Sequence, residues 1–193
     1  KYFRNTLAEL VYYRSYSRWI DGENRRETWI ETVDRYMSFM KENLAKKLSD
    51  KEYSEVREAI LKQESMPSMR LFQFAGVPAR KTNVCAYNCS YIAPKSVQDL
   101  AEIIYISMCG TGVGFSVESR NVQAFPQIEI QTGEKLATHV VDDSKEGWAD
   151  AFALGMKTWV EGKDIAFDFS ELRPAGARLK TMGGKSSGPD PLR

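Results

Sequence analysis

The first third of the chain carries apolar residues at helical spacing. In "RETWIETVDRYMSFMKENLAKKL" (26–48) they recur every three or four residues, which predicts a helix with one buried face. The following "SDKEYSEVREAILKQESM" (49–66) places Ser49 and Glu52 in the positions of a capping box, and Pro67 is expected to end that helix. These stripes indicate ordinary core contacts. The predicted apolar face of the first helix is Trp29, Val33, Tyr36, Met37, Met40 and Leu44.

From residue 67 onward the pattern alternates between strands and helices. "VCAYNCSYIA", "GVGFSVES" and "IAFDFSEL" have the aromatic and β-branched content of strands. Between them lie two helical segments, "SVQDLAEIIYISM", with Ser96 and Asp99 in capping positions, and "SKEGWADAFALGMKTWVEG". This strand–helix–strand–helix–strand order predicts an α/β fold with mostly parallel pairing.

Composition and charge exclude several classes of protein. The 193 residues carry 27 basic and 26 acidic side chains, so a non-specific nucleic-acid binder is not expected. No apolar run approaches the roughly 20 residues that span a bilayer, and the start does not resemble a secretory signal. Because the chain starts at Lys1 and stops inside a motif rich in glycine and proline, we expect a fragment of a longer protein.

The cysteines and the histidine narrow the chemistry further. Three cysteines are too few and too odd in number for a disulfide scaffold, so a reducing compartment is expected. His139 is the single histidine, which argues against a four-ligand zinc site. Nothing near His139 resembles a nucleophile motif.

Two glycine-rich motifs resemble phosphate-binding loops but lack their context. In "CGTGVGF" (109–115) the glycines follow a helix and open a strand, the reverse of a dinucleotide-binding fingerprint. They predict either a tight turn or a backbone that passes close to a ligand. In "GGKSSG" (183–188) the first glycine of a P-loop is replaced by Leu179, and Pro189 and Pro191 prevent the helix that should follow.

Three polar side chains in the middle of the chain leave alternatives open. Cys85 and Cys89 in "NVCAYNCSYIAP" (83–94) would lie on one face of a strand, where core filling is the more frequent role of a cysteine. Ser68 follows a helix stop, and its hydroxyl could serve an oxyanion or only the loop.

Four motifs in fixed order carry a family resemblance: "MPSMRLFQFAG", "NCSYIAP", "MCGTGVGFSVE" and "LRPAGARLKTMGGKSSGPDPL". Together they resemble the catalytic chain of ribonucleotide reductase. "YYRSYSRW" and "VVDDSKEGWADAF" are most similar to its monomeric, adenosylcobalamin-dependent class II branch. The resemblance implies an α/β fold with a helical N-terminal lobe (1–66), followed by the first strands of a ten-stranded α/β barrel (67–193).

The resemblance also implies a chemistry, the reduction of ribonucleoside di- or triphosphates to deoxyribonucleotides by thiyl-radical chemistry. Replacing a ribose hydroxyl by hydrogen needs two electrons, which a dithiol supplies as it becomes a disulfide. Cys89 matches one half of that pair, and the partner cysteine and the radical-bearing cysteine belong to later strands. Cys85 has no counterpart in the family, and we predict that it is structural.

Binding roles follow from the same resemblance. Ser68 matches a residue at the substrate phosphate, and Ser90 neighbours Cys89 on the substrate side. A deoxynucleotide effector is expected near Lys95, Ser96 and Val97, with a further effector segment at 117–128; the turn around Lys185 is expected to be a barrel turn. The segment expected to pass the substrate is Gly110, Thr111 and Gly112.

The resemblance implies adenosylcobalamin as cofactor, no protein-bound metal, and a cytoplasmic enzyme. Its expected partners are the ribonucleotide, the effector, a thioredoxin-like reductant and the C-terminal remainder of the catalytic chain; no membrane and no nucleic acid are expected. Three alternatives stay open. One is a class I chain whose radical comes from a metal-containing partner subunit, the second is a non-catalytic split fragment that needs its C-terminal half, and the third is an unrelated α/β domain.

Overall fold

The computed structural model describes residues 2–179 and 181–193, which divide into two compact units. The first unit contains residues 2–87 and 181–183, and the second contains residues 88–179 and 184–193. The chain mixes helices and small sheets, so the predicted α/β class is confirmed. The ten-stranded barrel and the lobe–barrel boundary at 66/67 stay predictions.

The first unit is mainly helical, with one small antiparallel sheet. Its strands are β1 (Trp19–Ile20) and β2 (Arg25–Arg26), and short 3₁₀ turns cover Asp21–Glu23, Ala45–Lys47 and Asn83–Ala86. Its helices are α1 (Thr6–Ser15), α2 (Trp29–Leu44), α3 (Asp50–Leu61), α4 (Met69–Phe74) and α5 (Val77–Lys81).

Capping boxes set the starts of the two longest helices of this unit. Ser49 and Glu52 form the predicted box at the start of α3, and Thr28 and Glu31 form a second one at the start of α2. The prediction that Pro67 ends α3 was wrong. The helix ends at Leu61, and the left-handed backbone of Gln63 (φ 58°) turns the chain away before the proline is reached.

An aromatic-rich core holds the first unit together. The predicted apolar face of α2 is confirmed, since its residues are buried or pack against the buried cluster. Phe72 from α4 lies at the centre, with its ring 5.6 Å from each of the rings of Trp29 and Tyr36. The buried cluster is Tyr12, Trp29, Val33, Tyr36, Met37, Phe39, Tyr53, Ile60, Phe72 and Ala75.

A buried carboxylate organises the polar side of this core. Glu27 is only 8% exposed, and one of its oxygens accepts a hydrogen bond from Arg35 Nε at 2.9 Å. Its other oxygen accepts from Thr32 Oγ1 at 2.9 Å and from the backbone N–H of Arg18 at 3.2 Å. Both oxygens are therefore surrounded by donors, as a buried charge requires.

The short segment 181–183 joins the first unit through two basic side chains. Arg18 donates to the carbonyl of Thr181 at 3.0 Å and to that of Gln73 at 3.2 Å, and Lys81 donates to the Thr181 hydroxyl at 3.4 Å. Burial, together with the nearby charge of Arg35, lowers the pKa of Arg18 to about 10, so its guanidinium stays protonated at neutral pH.

The second unit keeps the predicted strand–helix order with shorter strands, and it adds one two-residue strand and one short helix that the pattern did not predict. Its strands are β3 (Cys89–Ile92), β4 (Gly112–Phe115), β5 (His139–Val140) and β6 (Phe167–Asp168). β3 pairs with β4, and β5 pairs with β6, both in parallel. Its helices are α6 (Val97–Met108), α7 (Ser119–Val122) and α8 (Lys145–Val160).

Helix packing organises the second unit. α6 starts with the predicted capping box of Ser96 and Asp99, and α8 is capped by Ser144, whose hydroxyl accepts from Gly147 N at 2.9 Å. Val141, Ala151 and Leu172 form a small core. The buried positions of α8 are mostly small residues, and Trp159 near its end is 44% exposed.

The "GGKSSG" motif forms a turn in the described residues and not the start of a helix. Gly183, Gly184 and Gly188 have positive φ, and Ser186 N donates to Ala177 O at 2.7 Å across the turn. The helix that a P-loop requires does not follow the motif in residues 184–193. None of the described helices combines the length and the apolar character needed to cross a membrane.

Candidate active site

Cys89 begins β3 and lies beside the glycine segment (residues 110–112), which leads into β4, the parallel neighbour of β3. The register sets Cys89 opposite Gly112 and Tyr91 opposite Gly114. Residues in register on neighbouring strands face the same side of a sheet, so the two glycines leave the space beside Cys89 and Tyr91 open. Cys89 is exposed on that face, and Tyr91 is 65% exposed.

Gly110 has a structural role as a helix cap. Its φ of 87° is left-handed, its N–H donates to Ser107 O at 2.9 Å, and the next N–H, of Thr111, donates to Ile106 O at 3.4 Å. This is the hydrogen-bond pattern of a Schellman motif, which favours glycine at its left-handed position. Cap and strand together confirm that the glycines follow a helix and open a strand.

Gly112 has no comparable structural requirement. It does not have a positive φ, and a Cβ built there would approach Asn88 O only to 3.5 Å, an ordinary contact. At Gly114 the nearest atom would be 3.7 Å away. The fold itself therefore accepts a side chain at either position.

The two glycines give a matched pair of expected stabilities. Gly110→Ala should lower the free energy of unfolding by about 1–2 kcal/mol, because alanine is strained in the left-handed region. Gly112→Ala should leave it unchanged or raise it by up to about 1 kcal/mol, since glycine weakens a strand. Urea denaturation of both variants measures this difference, and equal losses would show that Gly112 is structurally required.

Ser90 and Thr111 lie next to the contact between β3 and β4. The Ser90 hydroxyl donates to Gly112 O at 3.4 Å, so it contacts the backbone of the glycine segment. Thr111 is 2% exposed and forms the buried side of the turn. The structure thus brings together Cys89, Ser90, Gly110, Thr111 and Gly112.

Ser68 belongs to the first unit, where it caps α4. Its hydroxyl accepts a long hydrogen bond from Leu71 N at 3.5 Å, and the residue is exposed. So weak a cap leaves the hydroxyl available to another partner. Its predicted role at a substrate phosphate stays a prediction.

The predicted shared strand of the two cysteines was wrong. Cys85 lies in the 3₁₀ turn Asn83–Ala86 of the first unit, fully buried, with its thiol donating to Thr82 O at 3.1 Å. Cys89 begins β3 in the second unit. Thr82 starts the 3₁₀ turn by accepting from Val84 N, and this local cap prevailed over the β-branched and aromatic content of the segment.

Two of the three predicted effector residues, Ser96 and Val97, border a cavity of about 430 Å³ in the second unit, and Lys95 is not part of its wall. Ser96 and Val97, at the start of α6, form one wall, and Lys157 from α8 is part of the opposite wall. The Asp99 carboxylate accepts from the N–H groups of Lys95 and Ser96 at 2.8 and 2.9 Å, which holds its pKa below the usual range. Most of the exposed cavity wall is apolar; the remaining wall residues are Gln98, Pro126, Ala153, Leu154, Val160 and Glu161.

Two residues near the glycine segment were missed by the sequence reasoning. Lys145, the first residue of α8, donates to the sulfur of buried Cys109 at 3.3 Å. They are 36 positions apart, so no local pattern could have paired them. In residues 2–179 and 181–193, no three His, Cys, Asp or Glu side chains are grouped as a metal site would require.

Comparisons with known proteins match both parts of the chain to one family. The model of the ribonucleotide reductase alpha domain matches residues 1–83. The model of the insertion domain of B12-dependent ribonucleotide reductase matches residues 114–193. The second match includes the segment 117–128, which the sequence assigned to an effector site.

Curated relatives agree with these models. An adenosylcobalamin-dependent ribonucleoside-triphosphate reductase of Euglena gracilis is 29% identical over 209 residues, covering 97% of this chain and 28% of the relative. Proteins of the same name from Lactobacillus gasseri and Lactobacillus leichmannii are 27% and 25% identical, each covering 96% of this chain and 34% of the relative. The chain thus spans about a third of the length of these relatives, and it belongs to the ribonucleotide reductase family, within which it is most like the adenosylcobalamin-dependent branch.

Proposed function

We propose that this chain works as part of a ribonucleotide reductase that converts ribonucleoside triphosphates, or diphosphates, to deoxyribonucleotides. The observation that carries the proposal is the exposed thiol of Cys89 beside Gly112, in a chain matched by two models of this family. The relatives' names favour the triphosphate as substrate.

The proposed role of Cys89 is to supply one of two reducing thiols. In the balanced reaction, the 2′-hydroxyl leaves as water, a hydrogen takes its place, and two thiols become one disulfide, which provides the two electrons. None of the three cysteines described forms a disulfide, and Cys85 and Cys109 are buried. We therefore place the second thiol on the remainder of the catalytic chain, and a thioredoxin-like reductant would restore the pair.

The proposed substrate position lies over the glycine segment. Because the fold accepts a side chain at Gly112, a ligand that passes close to the backbone would explain its glycine. The backbones of Ser90 and of Gly110 to Gly112 would line the sugar side. Gly112→Ala should then lower activity without lowering stability.

Adenosylcobalamin is the radical source that the relatives' names imply, and we propose it for the complete enzyme. The described residues do not themselves fit it, since a corrin ring with its nucleotide tail is far larger than the 430 Å³ cavity. We assign none of these residues to the cofactor. Class I enzymes, which take their radical from a separate metal-containing subunit, are the second candidate.

An effector site is proposed at the cavity between the start of α6 and the end of α8. Its mostly apolar wall suits a nucleobase, and the ammonium of Lys157 suits a phosphate. Lys95, Ser96 and Val97 would contact a deoxynucleotide there. A cytoplasmic location is part of the proposal, because the dithiol must be kept reduced.

The test uses the full-length protein with adenosylcobalamin, a ribonucleoside triphosphate and a dithiol reductant. Chromatography should detect the deoxynucleotide only when the cobalamin is present, and added deoxynucleotides should change which base is reduced fastest. The chain by itself, without its C-terminal remainder, should be inactive. Product that requires a metal-containing subunit in place of cobalamin would assign the enzyme to class I, and no product with either would refute the proposed function.

A further inference from the structure

Lys145 connects the start of one helix to the end of another. It is the first residue of α8, and its ammonium donates to Cys109 Sγ at 3.3 Å. The same ammonium lies 5.5 Å from the centre of the Tyr105 ring, in the last turn of α6. A neighbouring acid, Asp143, is bound instead by Arg173 at 2.8 Å.

Electrostatics explains why the side chain extends in this direction. The start of a helix carries a partial positive charge, which repels a cation, and the end of a helix carries a partial negative charge, which attracts one. α6 and α8 run antiparallel, since the end of α6 meets the start of α8 at Cys109 and their other ends share one cavity. The Lys145 side chain therefore extends away from the start of α8, where a cation is unfavourable, and places its ammonium at the end of α6, where a cation is favourable.

The contact is made at the residue that precedes the glycine segment. Cys109 is the C-cap of α6, fully buried, and Gly110 follows it directly. From there the backbone continues to Gly112, whose N–H donates to Asn88 O at 2.9 Å, next to Cys89. Cys109 therefore links the contact with α8 directly to the segment beside the exposed thiol.

We propose that Lys145 is a positioning residue that holds the glycine segment 110–112 in place for the substrate, acting through Cys109 and Tyr105. This inference rests on the proposed function, because it assigns the segment to the substrate of the same site. Lys145 itself does not touch the substrate in this proposal. Its ammonium fixes the last turn of α6 against the first turn of α8.

The test compares Lys145→Met and Lys145→Arg in the full-length enzyme, with Lys135→Met as control. Methionine keeps the length and the apolar stem but removes the donor, arginine keeps a donor, and Lys135 is an exposed lysine of the same unit. Lys145→Met should raise the KM for the ribonucleotide about tenfold and change kcat by less than about twofold, as expected for a misplaced binding segment. Lys145→Arg should have a KM close to that of the wild type, because it keeps a donor, and Lys135→Met should have the KM and kcat of the wild type.

A second measurement does not depend on catalysis. Hydrogen–deuterium exchange of the amides at 110–112 should be several-fold faster in Lys145→Met than in wild type, with the melting temperature nearly unchanged. Cys109→Ala should accelerate exchange by a smaller factor, because the contact of Lys145 with Tyr105 remains, and adding it to Lys145→Met should increase the effect of Lys145→Met only slightly.

Each other outcome contradicts the inference. Unchanged exchange in Lys145→Met would show that the contact does not hold the segment. Faster exchange with an unchanged KM would show that the contact is structural only. A wild-type enzyme without reductase activity would refute the proposed function, and with it the role of Lys145 in positioning the segment for the substrate. The exchange data would still decide whether the contact of Lys145 with Cys109 holds the segment in place.

Discussion

On the proposed function, replacing Cys89 with serine should abolish turnover of the complete enzyme with a thioredoxin-like reductant. A serine hydroxyl cannot form a disulfide, so the two electrons for ribose reduction cannot be supplied or renewed. The thiol is exposed beside Gly112, where a substrate and a reductant can both approach it. Deoxynucleotide formation by the variant should fall to the background of the chromatographic assay.

Cys85→Ser provides the matched control for this variant. Cys85 is fully buried in the first unit, and its thiol donates to Thr82 O, a hydrogen bond that a serine hydroxyl can also form. Its turnover should stay near wild type, with the free energy of unfolding lowered by about 1–3 kcal/mol for the poorer burial of the hydroxyl. Equal loss of turnover in both variants would contradict the assignment of Cys89 as the reducing thiol.

Of the variants considered, Glu27→Gln should have the largest effect on stability. It should lower the free energy of unfolding of the first unit by about 3–5 kcal/mol. Glu27 is buried, and Arg35, Thr32 and the backbone of Arg18 direct donors at its two oxygens. A glutamine amide must face one of these donors with its own NH₂ group, in either orientation. The Arg35 cation is then left buried without its counter-charge.

Urea denaturation of Glu27→Gln beside Glu42→Gln measures this effect. Glu42 also pairs with an arginine, Arg80, but the Glu42 side chain is 51% exposed, so its loss should cost less than about 1 kcal/mol. Similar losses in the two variants would show that burial of the Glu27 pair does not set its contribution.

The sequence predicted those parts of the fold that depend on neighbouring residues. The box of Ser49 and Glu52 and that of Ser96 and Asp99 fixed two helix starts, because a cap is formed within four residues. The apolar face of α2 was likewise evident from spacing alone. The family resemblance carried the assignment of Cys89, and the parallel register then placed Gly112 at its side.

The features that the sequence did not predict depend on distant residues or on competing local bonds. Cys85 was assigned to a strand because its neighbours favour one, but the hydroxyl of Thr82 stabilised a 3₁₀ turn instead. The contact of Lys145 with Cys109 joins two helices that only the packing of α6 on α8 brings together. Gln63 ended α3 through its backbone conformation, which no composition rule indicates for glutamine.

The return of Thr181 to the first unit has a consequence for synthesis on the ribosome. Arg18 needs the Thr181 carbonyl as an acceptor, yet that residue is translated long after residue 87. At ordinary elongation rates the delay is roughly 5–20 s, during which the nascent N-terminal helices lack this partner. The aromatic cluster around Phe72 can condense early, with Arg18 donating to Gln73 O, and the Thr181 carbonyl is added last, when residues 181–183 emerge and close the unit.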